Sequence, residues 1–457
     1  MKTLSFVAGL IIISVIATAC SADDLSVIPD KVVMASGTVL QSGSSRAATT
    51  DVSASDKVKL VKDNGVFSFE LFHELKDDPG NIICSPHSIS TAMAMVYAGA
   101  AGNTEQQIAD TLRYNLPQER LHPAFNWLDS ELNRRGEGAE GKDGEAFRLN
   151  IVNALWGQKN YEFRQSFLDI LAQNYGAGLR IVDYEGETEK SRVTINDWVS
   201  EQTENRIHDL VPPGAITPDT RLVLTNAVYL NAAWYYPFSE YPEDFFFTLP
   251  DGGKTAVPAM SIQETFHYSE GSDYQAVELL YDGRELSMVI ILPAEGQYES
   301  FENKLNYDKA TGIIDTLVER EVIIRMPEFE FASQFKLTNL LSSMGMPDAF
   351  SKKDADFSGI NEHEQLLIDE ILHRAFIVVD TDGTEAAATT GISVIPVSAD
   401  FDYQPPVEMI IDRPFIFFIR DIETGTVIFV GRVVNPLEYP KFDLYSCKLS
   451  VTKEVIS

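Results

Sequence analysis

Few residues of this chain are of a type and spacing that could do chemistry. Residues 136–142, "GEGAEGK", have the glycine and lysine spacing of a loop whose backbone N–H groups cradle phosphate. Asp143 follows where a magnesium-binding serine or threonine is needed, no strand pattern leads in, and three carboxylates would repel the anion. The stretch reads as an acidic, glycine-rich loop. His363, in "NEHEQLL", lacks the second histidine of a metalloprotease helix, and His73 and His267 have no ligand partners at helical or strand spacing. Cys20, Cys84 and Cys447 fit neither a zinc site nor a disulfide framework. No glycine-x-serine-x-glycine elbow is present. Neither a catalytic centre nor a metal or cofactor is expected.

One stretch is unusual for another reason. Residues 383–398, "GTEAAATTGISVIPVS", pair helix-forming Glu385, Ala386, Ala387 and Ala388 with strand-favouring Ile392, Val394, Ile395 and Val397. As a strand, it would present Thr384, Ala386, Ala388, Thr390, Ile392 and Val394 on one face, all small or apolar. Glu385, Ala387, Thr389, Gly391 and Ser393 would form the other face, which tolerates water. No proline interrupts residues 383–395, as a central strand requires.

The elements around these residues follow from length and pattern. The chain has 457 residues, 44% of them hydrophobic, enough for a sizeable core. With 36 Lys and Arg against 68 Asp and Glu, its formal charge of -32 repels phosphate backbones and argues against nucleic-acid partners. Helical spacing comes early, in "DNGVFSFELFHELK" and in "SISTAMAMVYAGAAGNTEQQIADTLRY", with Asn103-Thr104 as punctuation. Strand runs dominate later: "LVLTNAVYLNAAW", "LSMVIILP", "EVIIRMPEFEF", "AFIVVDTDG", "PFIFFIRD" and "TVIFVGRVV". This order predicts an α+β fold with a large, mostly antiparallel sheet.

The first residues predict export. Lys2 precedes the short apolar run "LSFVAGLIIISVIATAC", a secretory signal over residues 1–19. "IATAC" is similar to the lipobox of bacterial lipoproteins, with Ala17 in place of the usual leucine, and Cys20 is read as the lipidated residue. Cleavage after Ala17-Thr18-Ala19, giving a freely secreted protein, is the alternative. Residues 20–56, rich in Ser, Ala, Thr and Asp, read as a flexible tether. The expected location is a bacterial outer membrane or cell surface.

Several blocks, in order, resemble the serpins, serine-protease inhibitors that act by a conformational trap. "NIICSPHSISTAMAMVYAGAAGNTEQQI" is similar to the family segment that enters its second helix, with Asn81, Ser85, Pro86 and Ser88 in place. "LTNAVYLNAAW" supplies Asn226 and Trp234; "LSMVIILP" and "MPEFEFASQFKLTNLLSSMGMPDAFSKKDADFSGI" follow; "DRPFIFFIRDIETGTVIFVGRVVNP" resembles the C-terminal signature. The resemblance covers about Lys57 to Pro436, implying a serpin domain over residues 57–436 and an extension over residues 437–457. It implies a large central β-sheet with two further sheets, N-terminal helices, an exposed reactive-centre loop and a monomer.

Within that resemblance, Gly383, Thr384, Glu385, Ala386, Ala387, Ala388 and Thr389 match the hinge of the reactive-centre loop. Counting from the hinge places the reactive bond between Val397 and Ser398, and Ile395-Pro396-Val397 suits an elastase-like primary pocket. Tyr403 offers a second, chymotrypsin-like bond. The implied partner is a serine protease, with subtilisin-like or cysteine proteases as extensions. Ser85, Ser88, Asn226 and His373 match the shutter, where a polar cluster beneath the sheet must rearrange. Trp234 matches the breach, where Thr381 stands in place of the family's usual glutamate and leaves its ion pair in doubt. Cys84 reads as a small core residue and Cys447 as an exposed thiol. A non-inhibitory serpin, serving as a binding protein or chaperone, is the alternative; it would usually carry a bulky, charged or proline-bearing hinge.

Overall fold

The computed structural model describes residues 37–49, 51–76, 79–137, 139, 148–363, 365–384 and 405–438. Cys20, Cys447, Tyr403, the reactive bond Val397–Ser398 and the hinge residues Glu385, Ala386, Ala387, Ala388 and Thr389 lie outside them.

Among the described residues, helices pack against three sheets of seven, nine and two strands, in agreement with the α+β expectation. The first helix, Ala54–Leu75, begins where the Ser53 side chain caps the Asp56 N–H, and it buries Leu60, Phe67, Leu71, Phe72 and Leu75 at helical spacing. Pro86–Tyr97 starts with Ser85 as its cap and proline in its first turn, and is buried along its whole length. The helical pattern breaks at Ala98, before Gly102–Leu112, rather than at Asn103-Thr104. Strand Leu286–Pro293 is buried at every residue because it lies inside the nine-stranded sheet, between Tyr274–Leu280 and Phe415–Asp421.

The seven-stranded sheet positions the site. Its order is Thr38–Leu40, Leu179–Val182, Arg148–Gln158, Leu222–Ala233, Glu370–Val379 and Phe329–Lys336, with the two-residue strand Gly383–Thr384 added on Leu222–Ala233. Leu222–Ala233, the central strand, pairs antiparallel with Arg148–Gln158 on one side. On the other it pairs parallel with Glu370–Val379, from Glu370 opposite Val223 to Phe376 opposite Tyr229. Its even-numbered residues Leu222, Leu224, Val228 and Leu230 enter the main core. Val223 and Ala227 instead meet Ile195 and Val199 of helix Thr188–Gln202 in a second, smaller core on the opposite face.

The expected tether ends earlier than residue 56. Thr38–Leu40 is an edge strand on Leu179–Val182, anchored by Gly37 N–H to Ile181 O at 2.7 Å and Ala47 N–H to Gln173 O at 2.8 Å. Arg46 donates to Asn126 Oδ1 at 2.7 Å and pairs with Asp129, while Ser42 bonds Asp169. Gly178 makes this docking possible, since a Cβ there would stand 2.6 Å from Leu40 O and from Val39 Cγ1. Polar composition concealed a segment held by backbone and charged contacts rather than by apolar burial. Deleting residues 37–49 removes several hydrogen bonds of about 1 kcal/mol each, so a loss of about 2–4 kcal/mol is expected. A lower urea midpoint checks this; an unchanged midpoint would contradict it.

Candidate functional site

A tight turn follows Glu370–Val379 and leads into Gly383 and Thr384, the described part of the expected hinge. Asp380 N–H donates to Gly383 O at 3.0 Å, and Asp380 Oδ1 accepts from Asp382 N–H at 2.9 Å and Gly383 N–H at 3.1 Å. Trp234 clasps the same turn: its backbone N–H donates to Asp382 O at 2.9 Å and its indole N–H to Asp380 O at 3.1 Å. Its ring stacks on Tyr281 with centroids 4.7 Å apart. Phe238 N–H donates to Thr381 O at 2.6 Å. Trp234 and Thr381, assigned together from the sequence, therefore meet at one place. Thr381 is held through its backbone carbonyl.

The turn delivers Gly383 and Thr384 to the central strand, antiparallel, opposite Ala233 and Ala232. The approach is close enough to require glycine. A Cβ on Gly383 would lie 2.3 Å from Ala232 O and 2.6 Å from Ala233 Cα. Glu328 also faces this region, its carboxyl pushed up by burial first and then by the nearby charges of Asp380 and Glu240.

Ser85, Ser88, Asn226 and His373, the expected shutter residues, form one buried network. Ser85 N–H donates to His373 Nε2 at 3.2 Å, which makes Nε2 the acceptor. Nδ1 then carries the proton, which it donates to Asn226 Oδ1 on the neighbouring strand. Asn226 Nδ2 donates to Ser88 Oγ at 2.6 Å and to Asn153 Oδ1, and Ser88 Oγ reaches Asn153 Oδ1 at 3.0 Å. Ser85 Oγ donates to Ile428 O at 2.8 Å. Burial pushes the His373 pKa down to about 3, so the imidazole is neutral and the network depends on a single tautomer. This cluster ties the two parallel strands together where an added strand would have to part them.

Asn153 was not foreseen: an asparagine inside "LNIVNALWG" gains meaning only from the register, which sets it opposite Asn226. Arg374 was also missed. It is buried on the opposite face, where its guanidinium donates to His208 O at 2.6 Å; beside it, Gln334 donates to Leu210 O at 3.0 Å. These bonds tie the segment after helix Thr188–Gln202 to the antiparallel pair Phe329–Lys336 and Glu370–Val379, in which Gln334 and Arg374 stand opposite each other. Asn81 holds the segment that follows strand Val427–Val433, its Oδ1 accepting from Val434 and Asn435 N–H at 2.8 and 3.0 Å. Cys84 lies in the main core, its thiol pKa raised by burial. At the false phosphate loop, Gly136 N–H already donates to the Glu285 carboxylate at 2.7 Å.

Known proteins show the same architecture. A family profile described as "Serpin (serine protease inhibitor)" matches residues 62–436. A serpin-like protein of Thermococcus kodakarensis is 38% identical over 81% of this chain and 84% of its own length. The leukocyte elastase inhibitor of Xenopus tropicalis is 34% identical over 81% of this chain and 97% of its own. Among solved structures, the thermophilic serpin tengpin in its native state superposes with a TM-score of 0.74 at 26% identity, covering 88% of this chain and all (100%) of that one. Matched by the family profile over most of its length and by relatives of more than 30% identity, the chain belongs to the serpin family.

Proposed function

We propose that this protein inhibits serine proteases as a suicide substrate: its loop is cleaved, the protease is held as an acyl-enzyme, and the loop enters the sheet as a strand. The observation that carries this reading is the pairing of Gly383 and Thr384 with Ala233 and Ala232. Continued in the same antiparallel register, residues 384–394 run opposite residues 232–222, the length of the central strand. Paired residues share a face. Thr384, Ala386, Ala388, Thr390, Ile392 and Val394 then fall on the side of Leu222, Leu224 and Leu230, in the main core. Pro396 falls beyond the strand's end, where no ladder bond is needed.

The insertion gains about ten ladder hydrogen bonds of roughly 0.5–1.5 kcal/mol each, plus burial of the apolar face. It is opposed by the ordering of the loop and by opening the parallel pair. While both ends of the loop are tethered, this gain is out of reach; cleavage releases it. The protease supplies the nucleophile and the acyl bond, and the inhibitor supplies the substrate bond and the stored strand.

Val397 before the scissile bond, with Ile395 and Pro396, favours an elastase-like target, and the relative named leukocyte elastase inhibitor supports that choice. Export with Cys20 as a lipid anchor belongs to the same proposal and rests on residues 2–20. Incubation with neutrophil or pancreatic elastase should give a denaturant-resistant complex on a gel and a released peptide beginning at Ser398. Digestion with no complex would place the protein among serpins that bind or chaperone instead.

A further inference from the structure

The sequence "VVDTDG", residues 378–383, places an aspartate three residues before the glycine that must approach the central strand. Aspartate is a turn former because its carboxylate can accept backbone N–H groups two and three residues on. Asp380 does both, taking the N–H of Asp382 at 2.9 Å and of Gly383 at 3.1 Å through a single oxygen. Its own N–H and carbonyl are also engaged, with Gly383 O at 3.0 Å and the Trp234 indole at 3.1 Å. The direction in which Gly383 and Thr384 leave the turn is thereby fixed, toward Ala233 and Ala232.

We propose that the Asp380 carboxylate is a positioning group that holds the hinge in the register from which strand insertion starts, through turn geometry rather than through charge. This rests on the inhibitory reading above. A ladder grows most easily from pairs already formed, because the first pair bears most of the ordering cost. With two pairs present before cleavage, each later residue adds to an existing edge. Losing the turn would return the hinge to a search for its register while the acyl-enzyme hydrolyses. The nearby carboxyl of Glu328, raised by burial and then by the charge of Asp380, is a like charge, which would disfavour a purely electrostatic role for Asp380.

Three variants separate geometry from charge. Asp380→Ala removes the acceptor, Asp380→Glu keeps the charge but moves it by one methylene, and Asp380→Asn keeps the acceptor without the charge. The stoichiometry of elastase inhibition is expected to rise about three- to tenfold for alanine and by a smaller factor for glutamate, as insertion slows against deacylation. Asparagine should stay within about twofold of the natural protein. The bimolecular association rate should be unchanged in all three, because the scissile bond is untouched. Equal stoichiometry for alanine and the natural protein, or an asparagine variant as poor as alanine, overturns the assignment while leaving the inhibitory reading intact. If alanine does not fold, the glutamate and asparagine pair decides the question alone. Absence of any complex with the natural protein overturns the inhibitory reading first, and this inference with it.

Discussion

Under the proposed trapping mechanism, Gly383→Val is expected to turn an inhibitor into a substrate of the same protease. The Cβ of any side chain at this position would stand 2.3 Å from Ala232 O and 2.6 Å from Ala233 Cα, both of them backbone atoms that cannot swing aside. Valine must therefore push the hinge away from the central strand and lose the pairs at Ala233 and Ala232. Overpacking of this kind typically costs about 1–3 kcal/mol. Borne by the insertion step, that slows trapping roughly 5- to 100-fold at one factor of ten per 1.4 kcal/mol. Cleavage itself should continue at its usual rate. The expected gel shows cleaved protein accumulating and the denaturant-resistant complex fading, with the number of inhibitor molecules consumed per protease rising in proportion. A valine variant that still traps protease one to one would show that the hinge does not insert past Ala232, and would remove the main support for the proposed mechanism.

The same stretch shows what could be read in the sequence and what could not. The alternation of residues 384–394 was visible because strand periodicity is two and each face had a consistent character. Its phase relative to the core came only from the pairing of Thr384 with Ala232. Ser85, Ser88, Asn226 and His373 were found by resemblance; that they share one hydrogen-bond network depends on strand order, which brings together positions 288 residues apart in the case of Ser85 and His373. Asn153 had no local signal at all. Asp380 did have one, since Asp-x-x-Gly is a turn signature. The N-terminal strand Thr38–Leu40 is too short to stand out among serines and threonines, and its docking site depends on Gly178, far along the chain.

Acid is expected to destabilise the protein well above the range where carboxylates protonate, because three histidines are buried as neutral bases. Burial lowers the pKa of His373 to about 3 and those of His87 and His122 to about 4. For His87, the carboxylates of Asp129 and Asp421 partly oppose the shift. In the unfolded chain each returns to about 6.5. Below that pH the unfolded state binds more protons than the folded one, so stability is fully present above about pH 6.5 and falls as the pH drops toward the folded values. Each histidine contributes about 1.4 kcal/mol per pH unit within this window, and three acting together approach about 4 kcal/mol per unit. That is a large share of the 5–15 kcal/mol of a typical domain. The urea midpoint should therefore drop steeply between about pH 6.5 and pH 5. His122→Gln, at a site where the ring bonds Tyr175 and Gln118, should flatten the slope by about a third. A midpoint constant over that window would mean that the buried rings are protonated in the folded state. For His373 that cannot be reconciled with a ring whose Nε2 accepts from Ser85 while Nδ1 donates to Asn226, since the imidazolium has no lone pair left to accept with. Protonating His373 removes the acceptor for Ser85 N–H while Nδ1–H can still donate to Asn226, so acid would loosen Glu370–Val379 from the cap of helix Pro86–Tyr97 rather than from Leu222–Ala233.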